Sequence, residues 1–213
     1  KNLGYYFSEI EISLEDLGDN KINITFDINL GKKSKISKIT FIGNKIFKDN
    51  KLRRIIASTE YKFWKIISGR KYLNQNTVLL DERLLKNFYK NNGYYNAVIN
   101  SSFAKLIDEN SFELIFNIDS GSKVLFGDLS LDLPADFDEK NFSSIIKLFD
   151  KIKGKPYSIN SIDKILDEID IITTLEQYKF IKAHVLESIN QNLINLEFIV
   201  AEGENFYVNR INI

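Results

Sequence analysis

The chain has 213 residues, with Lys plus Arg and Asp plus Glu both numbering 29, a single histidine and no cysteine. That length exceeds one small module and suits two of modest size with trimmings. The missing thiols exclude disulfides, cysteine nucleophiles and cysteine-based zinc sites, and the balanced charge supplies no global field for a phosphate backbone. No local basic run interleaved with aromatics is read here as a nucleic-acid stripe, and no nucleic-acid partner is expected. No run of about 18 or more apolar residues occurs, so no membrane-spanning helix is expected in this stretch. Lys1 begins mid-pattern with no initiating Met, which fits a piece of a longer protein.

Residues 5–14 (YYFSEIEISL) and 21–30 (KINITFDINL) alternate in the manner of strands around a polar turn, Leu17–Asn20. They read as a hairpin without its helical half. Gly31 closes it, and Lys35–Ile42 (KISKITFI) is the next strand, ended by Gly43 and Asn44. Asp49 or Asn50 is expected to cap a helix that turns Leu52, Ile55 and Ile56 inward. A connection over Tyr61–Tyr72 leads to Asn74–Ser102, where Leu80, Leu84 and Phe88 recur every fourth residue with Leu85 beside them. This spacing predicts one apolar helical stripe, stopped at Asn91, Asn92 and Gly93, with Tyr94 opening a strand.

Tyr94–Ala104 and Ser111–Ile118 form a second hairpin around Asp108, Glu109 and Asn110, and Gly121 ends it as Gly31 ended the first. Val124–Leu131 is a strand broken by Pro134. Asp136 or Asp138 then caps a helix with Phe142, Ile145, Ile146 and Phe149 on one face. Ser158 or Asn160 begins the next, with Ile162, Ile165, Leu166, Ile169 and Ile172 inward, and strands Phe180–Ile189 and Leu193–Val200 follow before Gly203.

The three glycines lie 90 and then 82 residues apart. At five, eight and ten residues past them stand Ile36, Ile39 and Phe41; Phe126, Leu129 and Leu131; and Val208, Ile211 and Ile213, all apolar. Each period is strand, helix, helix, strand, strand. The predicted class is α+β: tandem βααββ modules, each a three-stranded mixed sheet covered on one face by two antiparallel helices. That order leaves the first or the second strand on a sheet edge.

The strand KISKITFIGN, the later NGYY before a hairpin, and the residues before the following strand (Asp119, Ser120, Gly121; Glu202, Gly203) resemble the POTRA repeat, the polypeptide-transport-associated domain. Phe63, Trp64 and then Gly69, Arg70, Lys71 and Tyr72 resemble the third of the five modules in outer-membrane β-barrel assembly factors. The resemblance implies that 1–33 ends a second module, 34–121 is a third, 122–204 a fourth, and 205–213 opens a fifth. The fourth departs from the pattern, with Leu133 and Pro134 in place of Gly-Asn and Lys179 in place of Gly93. It further implies a non-enzymatic role without cofactors at the periplasmic face of the outer membrane. Its expected partners are unfolded outer-membrane β-barrel proteins and accessory assembly lipoproteins, with a membrane β-barrel elsewhere in the parent protein. Translocation and assembly relatives, or two-partner secretion transporters, are the alternative.

The expected binding element is an edge strand, whose unpaired N–H and C=O groups accept an extended client. The best candidate is Tyr95–Phe103, with Ala97, Val98, Ile99, Asn100 and Ser101 at its centre and neither charge nor Pro. Phe63 and Trp64 either anchor a partner or pack between helix and connection. His184 is the lone histidine and is read as a strand residue. Asp81 with Glu82, and Asp167 with Glu168, are read as solvated faces, and no metal site is expected.

Overall fold

A computed structural model describes residues 4–62 and 71–203. Two compact units are formed, Lys1–Lys86 with Val98–Ser120, and Asn87–Ala97 with Gly121–Ile213. Phe63, Trp64 and the strand expected over 205–213 lie outside the described residues.

In the first unit, β1 (Glu9–Gly18) and β2 (Lys21–Asn29) pair antiparallel as a two-stranded ribbon. Asp19 and Asn20 turn it with φ of 51° and 58°, the left-handed pair that a tight two-residue hairpin needs. A separate sheet contains β3 (Lys35–Asn44), β4 (Val98–Asp108) and β5 (Ser111–Asp119) in the order β3-β5-β4. β3 runs parallel to the central β5 and β4 antiparallel to it, so the sheet is mixed. Ile36, Ile39 and Phe41 alternate onto the buried face, where they meet Phe112, Leu114 and Phe116 in register.

The helices differ from the sequence expectation. α1 is a single turn, Asp49–Leu52, whose N-cap is Lys48 with no side-chain cap. Asp49 does not cap it because its carboxylate is held by Lys45 and lies 3.8 Å from Arg53. α2 (Gln75–Lys90) buries Asp81, Leu85 and Tyr89, with Val78 and Phe88 half-buried, while Leu80 is exposed and Leu84 only half-buried. The expected stripe is therefore rotated by one residue, because a buried hydrogen bond at Asp81 outweighs the burial that Leu80 would gain. The strand after α2 starts at Val98 and not at Tyr94, since residues 94–97 form a turn closed by Ala97 N–H to Tyr94 O.

The second unit repeats the plan. Its sheet is β6 (Leu125–Asp132), β7 (Ile181–Asn190) and β8 (Leu193–Glu202) in the order β6-β8-β7, parallel then antiparallel. α3 (Ser143–Ile152) follows a 3₁₀ turn, Glu139–Phe142, which Asp138 caps by accepting from Lys140 N–H at 3.0 Å. α4 (Ile159–Leu175) starts after Ser158. Phe142, Ile145 and Phe149 pack with Ile165, Ile169 and Phe198 in one core, with Leu166 half-buried beside them, but Ile146 is exposed. Where Gly93 turns the first repeat at φ 95°, the second uses Gln177 and Phe180 at φ 61° and 58°, so the missing glycine leaves a left-handed turn at a cost in side-chain strain. Among the described residues no helix is long and apolar enough to cross a membrane.

Candidate protein-binding edge

Both sheets have a first strand and a second strand on their outer edges, and the chain treats the two edges differently. The outer edge of β3 is occupied by the chain itself. Leu73 N–H donates to Ser34 O at 2.9 Å, Tyr61 N–H to Ile36 O at 2.6 Å, and the Arg53 guanidinium to Ile39 O at 2.8 Å. Ile39 N–H donates to the Glu60 carboxylate at 3.0 Å, and Lys45 Nζ donates to Phe41 O at 2.7 Å. β6 is closed the same way: Gly154 N–H to Phe126 O at 2.8 Å, Phe126 N–H to Lys155 O at 2.9 Å, and Tyr157 N–H to Val124 O at 3.0 Å. The segment between the helices thus seals the first strand of each repeat.

β4 is different. Among the described residues no hydrogen bond reaches its outer edge, so its unpaired groups face outward. Of the predicted site residues, Val98, Ile99, Asn100 and Ser101 lie on β4, whereas Ala97 is buried ahead of it. Asn100 sits at a break in register between Ile99 and Ser101, which makes it a bulge residue. From Val98 to Ala104 the edge is uncharged, and Val98 and Phe103 are exposed. β7, the matching edge, carries Lys182, His184 and Glu187, with His184 opposite Ile199. Charge on an edge discourages pairing.

α2 flanks β4 and shapes a groove beside it. Ser102 Oγ donates to the Glu82 carboxylate, fixing helix to strand. A cavity of about 250 Å³ opens alongside, lined by Val78, Leu79, Ser102, Phe103 and Leu114. On the opposite face, Glu113 accepts from Thr40 Oγ1 at 2.5 Å and pairs with Lys38 at 2.9 Å. Those two contacts, the Thr40 bond first, lower its pKa below the usual carboxylate value.

Asp81 overturns the expectation of a solvated face. It is fully buried, and its Oδ1 accepts from Ala57 N–H at 2.6 Å and Ser58 N–H at 3.1 Å, while Oδ2 has no partner among the described residues. Burial pushes its pKa up, against the opposing pull of the Ser58 and Ala57 hydrogen bonds. The carboxylate thus pins the 57–58 loop onto α2, a role that its helical neighbours in sequence give no sign of. Among the described residues no group of three or more His, Asp and Glu side chains gathers as a metal site.

The POTRA family model, described as a surface antigen variable number repeat, matches residues 34–121. The chain is 25% identical over 208 residues to the outer membrane protein assembly factor BamA of Neisseria meningitidis serogroup B, covering 96% of this chain and 26% of that protein. It is 20% identical over 208 residues to BamA of Neorickettsia risticii, covering 96% and 27%. The chain thus spans about a quarter of the length of these relatives. The crystal structure of Haemophilus influenzae BamA POTRA3-5 matches with a TM-score of 0.56 and 16% identity, over 94% of this chain and 75% of that one, a likeness of fold.

Proposed function

We propose that the chain, whose residues 34–121 match the POTRA family model, is the periplasmic POTRA region of a BamA-like outer-membrane protein assembly factor. In this reading 1–33 ends a second module, 34–121 is the third, 122–204 the fourth, and 205–213 opens a fifth. The region works by binding and not by catalysis. Its clients are unfolded outer-membrane proteins, its partners accessory assembly lipoproteins, and its place is the periplasmic face of the outer membrane. Likeness over 96% of the chain to named assembly factors supports this reading.

The observation that carries the binding mode is the contrast of edges: among the described residues β3 is closed by five hydrogen bonds from its own chain, while β4 is open and uncharged from Val98 to Ala104. An extended client adds to β4 through main-chain hydrogen bonds, which read backbone more than sequence. Four such bonds at roughly 0.5 to 1.5 kcal/mol each give a few kcal/mol. Ordering the client costs about as much or more, so contact is weak and transient, which suits a step that hands its client on.

The test uses two variants, Val98→Asp on the exposed strand and Asn100→Pro at the bulge, where a proline is tolerated. Both should keep the circular dichroism spectrum of the parent and bind a fluorescent unfolded β-barrel peptide about tenfold more weakly, which corresponds to about 1.4 kcal/mol. Undiminished binding in the folded variants overturns the edge-strand mode.

A further inference from the structure

Charge along the chain is balanced in total but not in place. Residues 32–72 contain thirteen Lys and Arg against two acids, Asp49 and Glu60, leaving the excess of acids elsewhere. The expectation that no local basic, aromatic-interleaved run exists is corrected by this segment. Both of its acids are engaged with cations, Asp49 with Lys45 and Glu60 with Arg53 at 3.3 Å.

The fold concentrates this charge further. The Leu73–Ser34 and Tyr61–Ile36 hydrogen bonds and the Lys35–Tyr72 bridge lay residues 32–36 beside residues 61 and 71–73. There, lysines and tyrosines alternate in a ladder. Lys33 Nζ stands 5.3 Å from the Tyr5 ring and 5.4 Å from Tyr72; Lys71 Nζ stands 5.5 Å from Tyr72 and 5.2 Å from Tyr61; Lys35 Nζ stands 4.5 Å from Tyr61. Among the described residues no carboxylate lies within 4 Å of Lys32, Lys33 or Lys35. Lys32 and Lys33 are exposed and Lys35 is half-buried, whereas Lys71 is buried beneath them.

We propose that this lysine–tyrosine face of the first unit binds the anionic phosphodiester headgroups of a lipid bilayer. Two points favour headgroups over an acidic polypeptide. The neighbouring β3 edge is sealed, so no peptide strand can add there. Lysine and tyrosine also share an apolar stem and a polar tip, the side-chain form that settles at a membrane interface. Headgroups need charge density, which Lys32 and Lys33, with the half-buried Lys35 beside them, supply.

The experiment is sedimentation of the 213-residue chain with vesicles of phosphatidylcholine plus phosphatidylglycerol, against vesicles of phosphatidylcholine alone. Binding should require phosphatidylglycerol and fall with added salt. Lys32→Gln/Lys33→Gln, two exposed positions that leave the fold intact, should weaken it about 25-fold, roughly fivefold per lysine. Lys147→Gln/Lys151→Gln in the second unit and Val98→Asp on β4 should leave it unchanged, which separates this surface from the client edge. Equal binding to both vesicle types, or an equal loss in the Lys147/Lys151 control, overturns the proposal. So does capture of polyglutamate without any preference for phosphatidylglycerol vesicles, which assigns the surface to an acidic protein instead.

Discussion

Two hairpins in the first unit share one pattern and meet opposite fates. Ile24, Phe26 and Ile28 of β2 stand seven, five and three residues before Gly31, and Leu114, Phe116 and Ile118 of β5 stand at the same distances before Gly121. The first three are 52%, 58% and 55% exposed, the second three 1%, 0% and 0%. Gly31 and Gly121 even share a left-handed φ, 64° and 62°. In the ribbon, Ile10 pairs with Ile28, Ile12 with Phe26 and Leu14 with Ile24, so one face is apolar with nothing of the described chain upon it. Strand alternation sorts side chains between faces, but only a covering layer removes a face from water. β5 has that layer in α2 and a third strand in β3; β2 has neither.

The largest test of this comparison is to truncate the two matching phenylalanines. Phe116→Ala should cost about 3 to 5 kcal/mol, because it leaves a cavity in a sealed core, and urea unfolding should place its midpoint well below the parent's. Phe26→Ala should cost under about 1 kcal/mol, because that ring is already in water. Equal losses would mean that the ribbon's apolar face is covered in solution.

A smaller effect separates the helices that cover the two sheets. The buried face of α4 is Ile162, Ile165, Ile169 and Ile172, whereas α2 buries a carboxylate, Asp81. Asp81→Ala strands the amides of Ala57 and Ser58 and should cost about 1 to 3 kcal/mol. The raised pKa of Asp81 sets the sign of its pH dependence. The folded state holds this proton more tightly than the unfolded state, so the stability it contributes is full below the ordinary carboxylate range and is lost as pH rises through the folded pKa. Asp81→Asn should abolish that fall, seen as flatter urea midpoints across acidic to neutral pH. An unchanged slope would assign the pH dependence to other groups.

The smallest effect concerns a cap supplied from far along the chain. Asn91 Oδ1 accepts from Asn160 N–H at 2.9 Å and from Ser158 Oγ at 3.0 Å, capping α4 in place of its own N-cap side chain, which makes no such bond. Asn91→Ala should cost about 1 kcal/mol and speed amide exchange at Asn160, with the rest of α4 little changed. Exchange at Asn160 that stays as slow as in the parent would remove Asn91 from this role.

The places where sequence reading failed have a common cause. α3, α4 and every described strand were legible, because alternation and helical periodicity are local and the core residues are strongly apolar. Leu80 and Ile146 fit the same periodicity yet are exposed, Leu80 because the buried stripe of α2 runs through Asp81, Leu85 and Tyr89 instead. Tyr94–Ala97 carried a strand-like composition, but Tyr94 N–H bonds back to Tyr89 O and holds the segment as a turn, which shortens the candidate edge to Val98 onward. The uncharged run Val98–Ser101 is readable in the sequence, and the fold places it on the outer strand β4. That β3 is unavailable could not be found, because its closure depends on Arg53, Glu60, Tyr61 and Leu73 folding back over it.

By itself the sequence determined the repeat, the βααββ order and the apolar face of each strand, for these follow from glycine spacing and from periods of two and of about 3.6 residues. Tertiary structure decided which edge stays open, which carboxylate is buried and where the lysines gather. Each of those joins residues far apart in the chain, as with Ser34 and Leu73 or Ala57 and Asp81, and no local period records such a pairing. It is settled only when the backbone's unpaired N–H and C=O groups find partners in the folded chain.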